Sequence, residues 1–369
     1  MKPNSYLEVD SKAIEHNTNL FRKILNENTK IISVIKANGY GLGIAQIAQL
    51  QEVHGIDMFA VLDVEQGKEL RDAGITRPIL LLGAVLESNF QDLITYDLIQ
   101  VAFSYEGAKR MSSYALNNNV KIKVHVKVDT GLNRLGMTSY EEIKACYAME
   151  GLDAQGIYSH FIEAQSYEAQ ALERSHKQIA DFDAVVKQLK AEGIDVGMTH
   201  LQNSPSVLNF GDLGYDAVRC GMIMFGLFHP SQLQLALDAG FKSVIKFKTH
   251  IAVIRDLDEG DTVGYSQSYK VTKPMKVATL STGYCDGIMK GLSLNGGGVV
   301  INDVLCPILG DIAMSQFMVD VSHVDCSVED IAVVFGHPLQ DVYATIGITK
   351  QTINEFISHL RYTMERVYI

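Results

Sequence analysis

The chain has 369 residues, of which 47% are apolar and 20% charged, with a formal net charge of −11 and five cysteines. That length exceeds one ordinary core and suits a barrel of about 250 residues with a smaller domain added, while the apolar fraction excludes a disordered chain. The acidic balance, with no basic cluster to offset it, opposes nucleic acid and anionic lipid as partners.

Nowhere do about 20 apolar residues run together, and the first residues lack an apolar signal core, so no membrane partner and a cytoplasmic location are expected. Cys146, Cys220, Cys285, Cys306 and Cys326 are odd in number and scattered without metal-type spacing. They read as reduced thiols, and no metal centre is expected.

In chain order, Tyr6 to Asp10 alternates as a strand does, and Ser11 is expected to cap a helix through Ala13, Ile14 and Asn17. Ile31 to Ile35 is mostly β-branched, has no helical spacing and reads as a strand buried on both faces. It delivers Lys36 to a turn containing Gly39, Gly41 and Gly43, with a helical pattern to follow. Seven more short apolar runs come next: Met58 to Asp63, Pro78 to Gly83, Ile99 to Ser104, Lys121 to Thr130, Ala154 to His160, Met198 to Ser204 and Ala217 to Met222. The intervals carry helical patterns, as at Glu65 to Ala73 and Glu173 to Glu192. Eight runs alternating with helices predict an α/β fold, a parallel (β/α)8 TIM-type barrel over residues 1–235.

Beyond Phe241 the pattern changes to alternating strands with turn signals, at Lys248 to Ile254, Lys276 to Leu280 and Ile331 to Phe335. A mainly β domain over residues 236–369 is expected, with residues 1–10 pairing onto it. Gly296 to Gly298 is expected at a hairpin, and a last helix at roughly Lys350 to Leu360 should precede a short tail.

A lysine at the carboxyl end of a barrel strand sits where such barrels keep their chemistry. Desolvation there frees the amine, which can form an imine with pyridoxal phosphate. Read alone, Lys36 fits a strand-end salt bridge better than a catalytic amine. Tyr284 fits a turn tyrosine, His160 a satisfied strand-end histidine, and Lys127 with Arg134 an ordinary surface pair.

Taken together, the motifs resemble those of the alanine racemase family over nearly the whole chain. Val34-Ile-Lys-Ala-Asn-Gly-Tyr-Gly-Leu-Gly43 is similar to its cofactor-lysine motif, and Thr282-Gly-Tyr-Cys-Asp-Gly287 to its second-base motif. Tyr158-Ser-His-Phe161, Val218-Arg-Cys-Gly-Met222 and Val126-Lys-Val-Asp-Thr-Gly-Leu-Asn-Arg-Leu-Gly136 match further family segments. The resemblance implies an enzyme using pyridoxal 5'-phosphate to interconvert L- and D-alanine, supplying D-amino acid for cell-wall synthesis. It implies Lys36 and Tyr284 as catalytic bases on opposite faces of the substrate, with Tyr284 reaching the other subunit of a homodimer. Tyr40, His160, His200, Ser204, Arg219, Gly221, Met222 and Tyr362 would hold the cofactor, Arg219 facing its ring nitrogen. Arg134 and Met314 would bind the substrate carboxylate, and Lys127, carbamylated in many members, would orient Arg134.

The pattern breaks at Gly39 and Leu42 and, more pointedly, around the expected substrate entrance. Asp311 and Ser315 stand for an arginine and an aspartate, Gln165 for an aspartate, and Gly298 for a tyrosine. A racemase for serine or for a larger or basic amino acid is therefore a second reading. A non-catalytic pyridoxal phosphate carrier, which lacks a second domain, is a third, and a barrel decarboxylase a weaker fourth.

Overall fold

A computed structural model describes residues 3–369. All eight apolar runs are strands: Lys30–Val34, Met58–Val61, Ile79–Leu81, Leu98–Ala102, Ile122–Lys127, Leu152–Tyr158, Met198–His200 and Ala217–Cys220. Each pairs in parallel with the next through the seventh, and the first pairs with the eighth, Lys30 lying opposite Ala217. The remaining seam is joined where Arg219 N donates to Gln202 O at 2.9 Å, and Asp216 Oδ2 accepts from both Thr199 N and Thr199 Oγ1. Ile32, Met58, Ala60, Leu80, Ile99 and Ala217 form one buried cluster contributed by five of the strands. A barrel interior filled in this way is why the strands read as continuous apolar runs rather than as alternating ones.

The other compact unit comprises Tyr40–Gly43 and Ser243–Ile369 together with the N-terminal strand, so the division falls at Lys242 rather than at residue 235. The extra residues stay with the barrel because Asn17 brackets Lys242 at both its amide and its carbonyl, while Phe241 packs edge-on against Phe228. In this second unit the long strand Ile245–Leu257 pairs with Met275–Leu280 and with Ile331–Phe335, and Gly298–Ile301, Val304–Leu309 and Phe317–Asp320 complete the ring. Ser5–Val9 adds antiparallel to the start of the long strand, and Glu365–Tyr368 adds parallel to Ser5–Val9. Its core includes Phe247, Phe335 and Phe356, stacked edge to face at 5.6 and 4.9 Å.

Several local expectations are corrected. Asp10, not Ser11, caps the helix Ser11–Lys23, its carboxylate accepting from Ala13 N at 2.9 Å. Gly296 to Gly298 leads from a short helix into a strand, and the hairpin turns at Asn302 and Asp303, whose φ values of 46° and 62° make the turn that matches strand twist. The last helix lies where expected, at Ile353–Ser358, but a further helix, Val342–Thr349, precedes it, and the tail is a strand. Among the described residues no helix is long and apolar enough to cross a membrane.

Candidate active site

The helical pattern expected directly after Lys36 does not begin there. Ala37, Asn38, Gly39 and Tyr40 all have positive φ, between 54° and 62°, so the chain makes a left-handed turn before the helix Ile44–Val53 starts. Left-handed geometry costs a residue with a Cβ about 1–2 kcal/mol, and such strain gathers where a side chain must be aimed. The turn is held by Gly39 N donating to Ile35 O at 2.9 Å and by Asn38 Oδ1 accepting from Ile44 N at 3.1 Å. Lys36 is half-buried, and burial together with the charge of Arg134 depresses its pKa.

Lys36, Lys127, His160, His200 and Arg219 all lie at or just beyond the carboxyl ends of barrel strands, on one face of the barrel. Arg134 belongs to the loop after the fifth strand, which Asp129 shapes by accepting from Gly131 N and Asn133 N. Lys127 is buried, and its pKa is pushed down to about 8, chiefly by desolvation and then by Arg134, Arg219 and Lys36 against the single opposing charge of Asp129.

Arg219 is almost fully buried and anchors the cluster. It donates to the carbonyls of Ser159, His200 and Leu201 at 2.7–3.0 Å, to His200 Nδ1 at 2.8 Å and to His160 Nδ1 at 3.1 Å. A guanidinium has no acceptor, so both histidines must carry their proton on Nε2. His200 Nε2 then donates to His125 Nδ1 at 2.8 Å. The chain is electrically neutral beyond the arginine, because burial and the Arg219 charge hold His160 and His200 well below the ordinary histidine range and His125 down to about 3. Tyr158 lies parallel to His200 at 4.7 Å, with the Arg219 guanidinium 4.9 Å from its ring centre. Gly156 makes room for His125: a Cβ there would stand 2.9 Å from the imidazole. Ser204 and Gly221, from the segments after the seventh and eighth strands, meet where Gly221 N donates to Ser204 Oγ at 3.0 Å, and the half-buried Met222 follows.

The remaining predicted residues belong to the second unit. Tyr284 is 41% exposed, and Met314 is 59% exposed. They are brought together, since Tyr284 N donates to Ala313 O at 3.0 Å and Cys285 N to Met314 O at 2.9 Å. Lys290 Nζ lies 5.3 Å from the Tyr284 ring centre. Tyr362 is 63% exposed, in the turn before the last strand. Gly298 is not an opened position: it is buried within a strand, and a Cβ there would meet Cys306 O at 2.8 Å. A tyrosine could not stand there without moving the neighbouring strand, so that departure carries no argument about the entrance.

Sequence reading missed His125 and Tyr158 as members of the cluster. The signal for His125 was a polar residue between Val124 and Val126 in an otherwise apolar run.

A barrel with a half-buried lysine, three further cations and a neutral histidine chain at its carboxyl end, followed by a β unit presenting a tyrosine turn, defines a two-domain enzyme class built for anionic cofactors and substrates. Residues 9–229 match the alanine racemase N-terminal domain and residues 244–368 the alanine racemase C-terminal domain, and the chain belongs to the alanine racemase family. It is 33% identical over 345 residues to alanine racemase 1 of Oceanobacillus iheyensis, covering 91% of this chain and 90% of that one. Alanine racemase from Clostridium difficile 630 superposes with a TM-score of 0.94 at 29% identity, over 100% of this chain and 96% of that chain. The crystal structure of alanine racemase from Bartonella henselae with covalently bound pyridoxal phosphate gives 0.86 at 25% identity, over 100% of both chains.

Proposed function

We propose that the protein is a pyridoxal phosphate-dependent amino-acid racemase with alanine as its substrate. The observation that carries this reading is Lys36, a half-buried amine of depressed pKa on a strained turn at the carboxyl end of the first barrel strand, in a family that matches along the whole chain. The donor set suits the cofactor: Lys36, Lys127, Arg134 and Arg219 bring four cations to this face, and Lys127 feels three of their charges against that of Asp129, so the cluster favours phosphate and carboxylate groups. Bound there, pyridoxal phosphate supplies a ring that withdraws electrons from the α-carbon of an amino acid and so acidifies its hydrogen.

In this reading Lys36 would hold the cofactor through its amine and would take or return the α-proton on one face. Tyr284 of the partner subunit does so on the other face, which makes the homodimer the active unit. Ser204, Gly221 and Met222 would hold the phosphate by hydroxyl and amide groups, Tyr40 and Tyr362 would serve as further cofactor residues, and Arg134 and the Met314 amide would orient the substrate carboxylate. Arg219 would face the ring nitrogen. With no proton readily given up, it would keep that nitrogen unprotonated and limit the electron withdrawal that promotes side reactions. The Tyr284 motif and the whole β unit speak against the non-catalytic carrier.

Lys127 is expected to carry carbon dioxide as a carbamate. Only the neutral amine reacts, and a pKa of about 8 leaves roughly half of it neutral at pH 8, against well under 1% for an ordinary lysine. The carbamate would give Arg134 and Arg219 a second anion beside Asp129. Labelled bicarbonate should therefore produce a carbamate carbon resonance that strengthens as pH rises through 8. Its persistence in Lys127→Ala would place the modification elsewhere.

The test of the function is a panel of single-enantiomer amino acids scored by chiral chromatography, in which alanine should be racemised fastest. Asp311 carries a second, narrower reading, because its anion stands where the family has an arginine, and unit charges at 4 Å interact by about 4 kcal/mol at an effective dielectric near 20. Even a screened part of that would move selectivity about tenfold. The ratio of kcat/KM for lysine, arginine or ornithine to that for alanine should thus fall on Asp311→Arg. A ratio that is small and unchanged by the substitution would leave alanine as the substrate and the altered residue without a role in selection.

A further inference from the structure

We propose that the C-terminal segment 361–368 is a positioning clip, whose two guanidiniums fix the turns that carry Tyr284 and Tyr40; the proposal rests on Tyr284 being the second base. Arg361 reaches Asp286, pairing with Oδ1 at 3.0 Å, while the other carboxylate oxygen accepts from Thr282 Oγ1 at 2.9 Å and Gly283 N at 3.1 Å. Asp286 is only 4% exposed at its side chain, so Arg361 is the counter-charge that lets a carboxylate sit inside the turn. Arg361 N also donates to Asp286 O at 3.3 Å, which ties the turn to the tail through backbone as well as side chain.

Glycines on either side of Tyr284 remove the slack. A Cβ on Gly283 would stand 2.3 and 2.4 Å from the carbonyls of Ala313 and Met314, and one on Gly287, whose φ is +98°, would stand 2.5 Å from His359 O. The turn is therefore pressed between the Met314 segment and the tail. Whatever shifts Arg361 shifts Tyr284 and the amide of Met314 together.

The second guanidinium holds the other turn. Arg366 Nε and Nη2 donate to Gly41 O at 3.0 and 2.8 Å, and its fork also reaches the carbonyls of Arg361, Tyr362 and Met364. The Tyr368 hydroxyl donates to Leu42 O. A Cβ on Gly41 would lie 2.8 Å from Ile357 O, so this turn too is seated on the C-terminal residues. A lysine, whose three donors share one nitrogen, could not reach Gly41 O and the spread of tail carbonyls as the guanidinium fork does.

The experiment measures α-hydrogen exchange with solvent deuterium for each alanine enantiomer separately. With bases on opposite faces, one enantiomer presents its hydrogen to Lys36 and the other to Tyr284. Arg361→Gln is expected to slow exchange of the Tyr284-facing enantiomer about tenfold more than that of its mirror image, whereas general loosening would slow both alike. Arg361→Lys, which keeps the charge without the fork, should show the same asymmetry at smaller amplitude and serves if the glutamine variant does not fold. Amide hydrogen exchange of the cofactor-free protein gives an independent readout: Arg361→Gln should deprotect the peptide containing Tyr284, and Arg366→Gln the peptide containing Gly41 and Leu42. Equal slowing of both enantiomers, or unchanged protection at both turns, would overturn the clip. If the wild type exchanges neither enantiomer, the two-base reading fails instead, and the clip is decided by amide protection alone.

Discussion

Lys36→Ala is expected to lose more than about 10⁴-fold in racemisation, because the substitution removes the covalent hold on the cofactor and one of two proton-transfer groups at once. The amine is suited to both tasks for one physical reason: burial and the Arg134 charge disfavour its ammonium, so the nucleophilic form is populated at lower pH than in an exposed lysine. Lys127 is the fair competitor, since it is buried on the same face with a pKa of about 8. It differs in backbone, lying within a regular strand, whereas Lys36 opens a left-handed turn. Borohydride treatment of the loaded protein followed by peptide mapping should fix the cofactor on Lys36. A label on Lys127 would reverse the two assignments.

Tyr284→Phe is expected to retain the cofactor and lose about 10²–10⁴-fold in racemisation, the usual contribution of a positioned acid or base. Its ring is 41% exposed, with Lys290 over one side and the backbone pinned beneath. If the tyrosine serves the partner's site, mixing inactive Lys36→Ala and Tyr284→Phe subunits should restore activity. A hybrid dimer then has one site with both lesions and one with neither. Random two-fold assembly makes half the dimers hybrid, so about a quarter of wild-type activity should return. Hybrids that form and stay dead would mean that each subunit supplies its own tyrosine.

The site was legible where a residue's type limits what it can do. Lys36 and Arg219 are charged residues ending apolar runs, and the runs themselves were unambiguous because barrel strands are buried on both faces. His125 was overlooked although it breaks the same kind of run, because its role depends on His200, 75 residues away. The Gly298 position misled for the complementary reason. Sequence position suggested an open entrance, but a carbonyl of the neighbouring strand occupies the space.

By itself the sequence determined the eight parallel strands, the change to a β-rich unit, the acidic character of the chain and the cationic set at the strand ends, since each follows from local pattern or side-chain chemistry. Tertiary structure alone decided the left-handed turn after Lys36, where Ala37 and Tyr40 carry no signal for positive φ and the turn is held by Gly39 N donating to Ile35 O and by Asn38 Oδ1 accepting from Ile44 N. It also decided which nitrogen of each buried histidine bears its proton, and that the last residues are a strand whose arginines grip turns hundreds of residues earlier or dozens away. Those outcomes depend on partners distant along the chain, and a hydrogen bond or an excluded Cβ has no trace in sequence until the fold brings its two ends within about 3 Å.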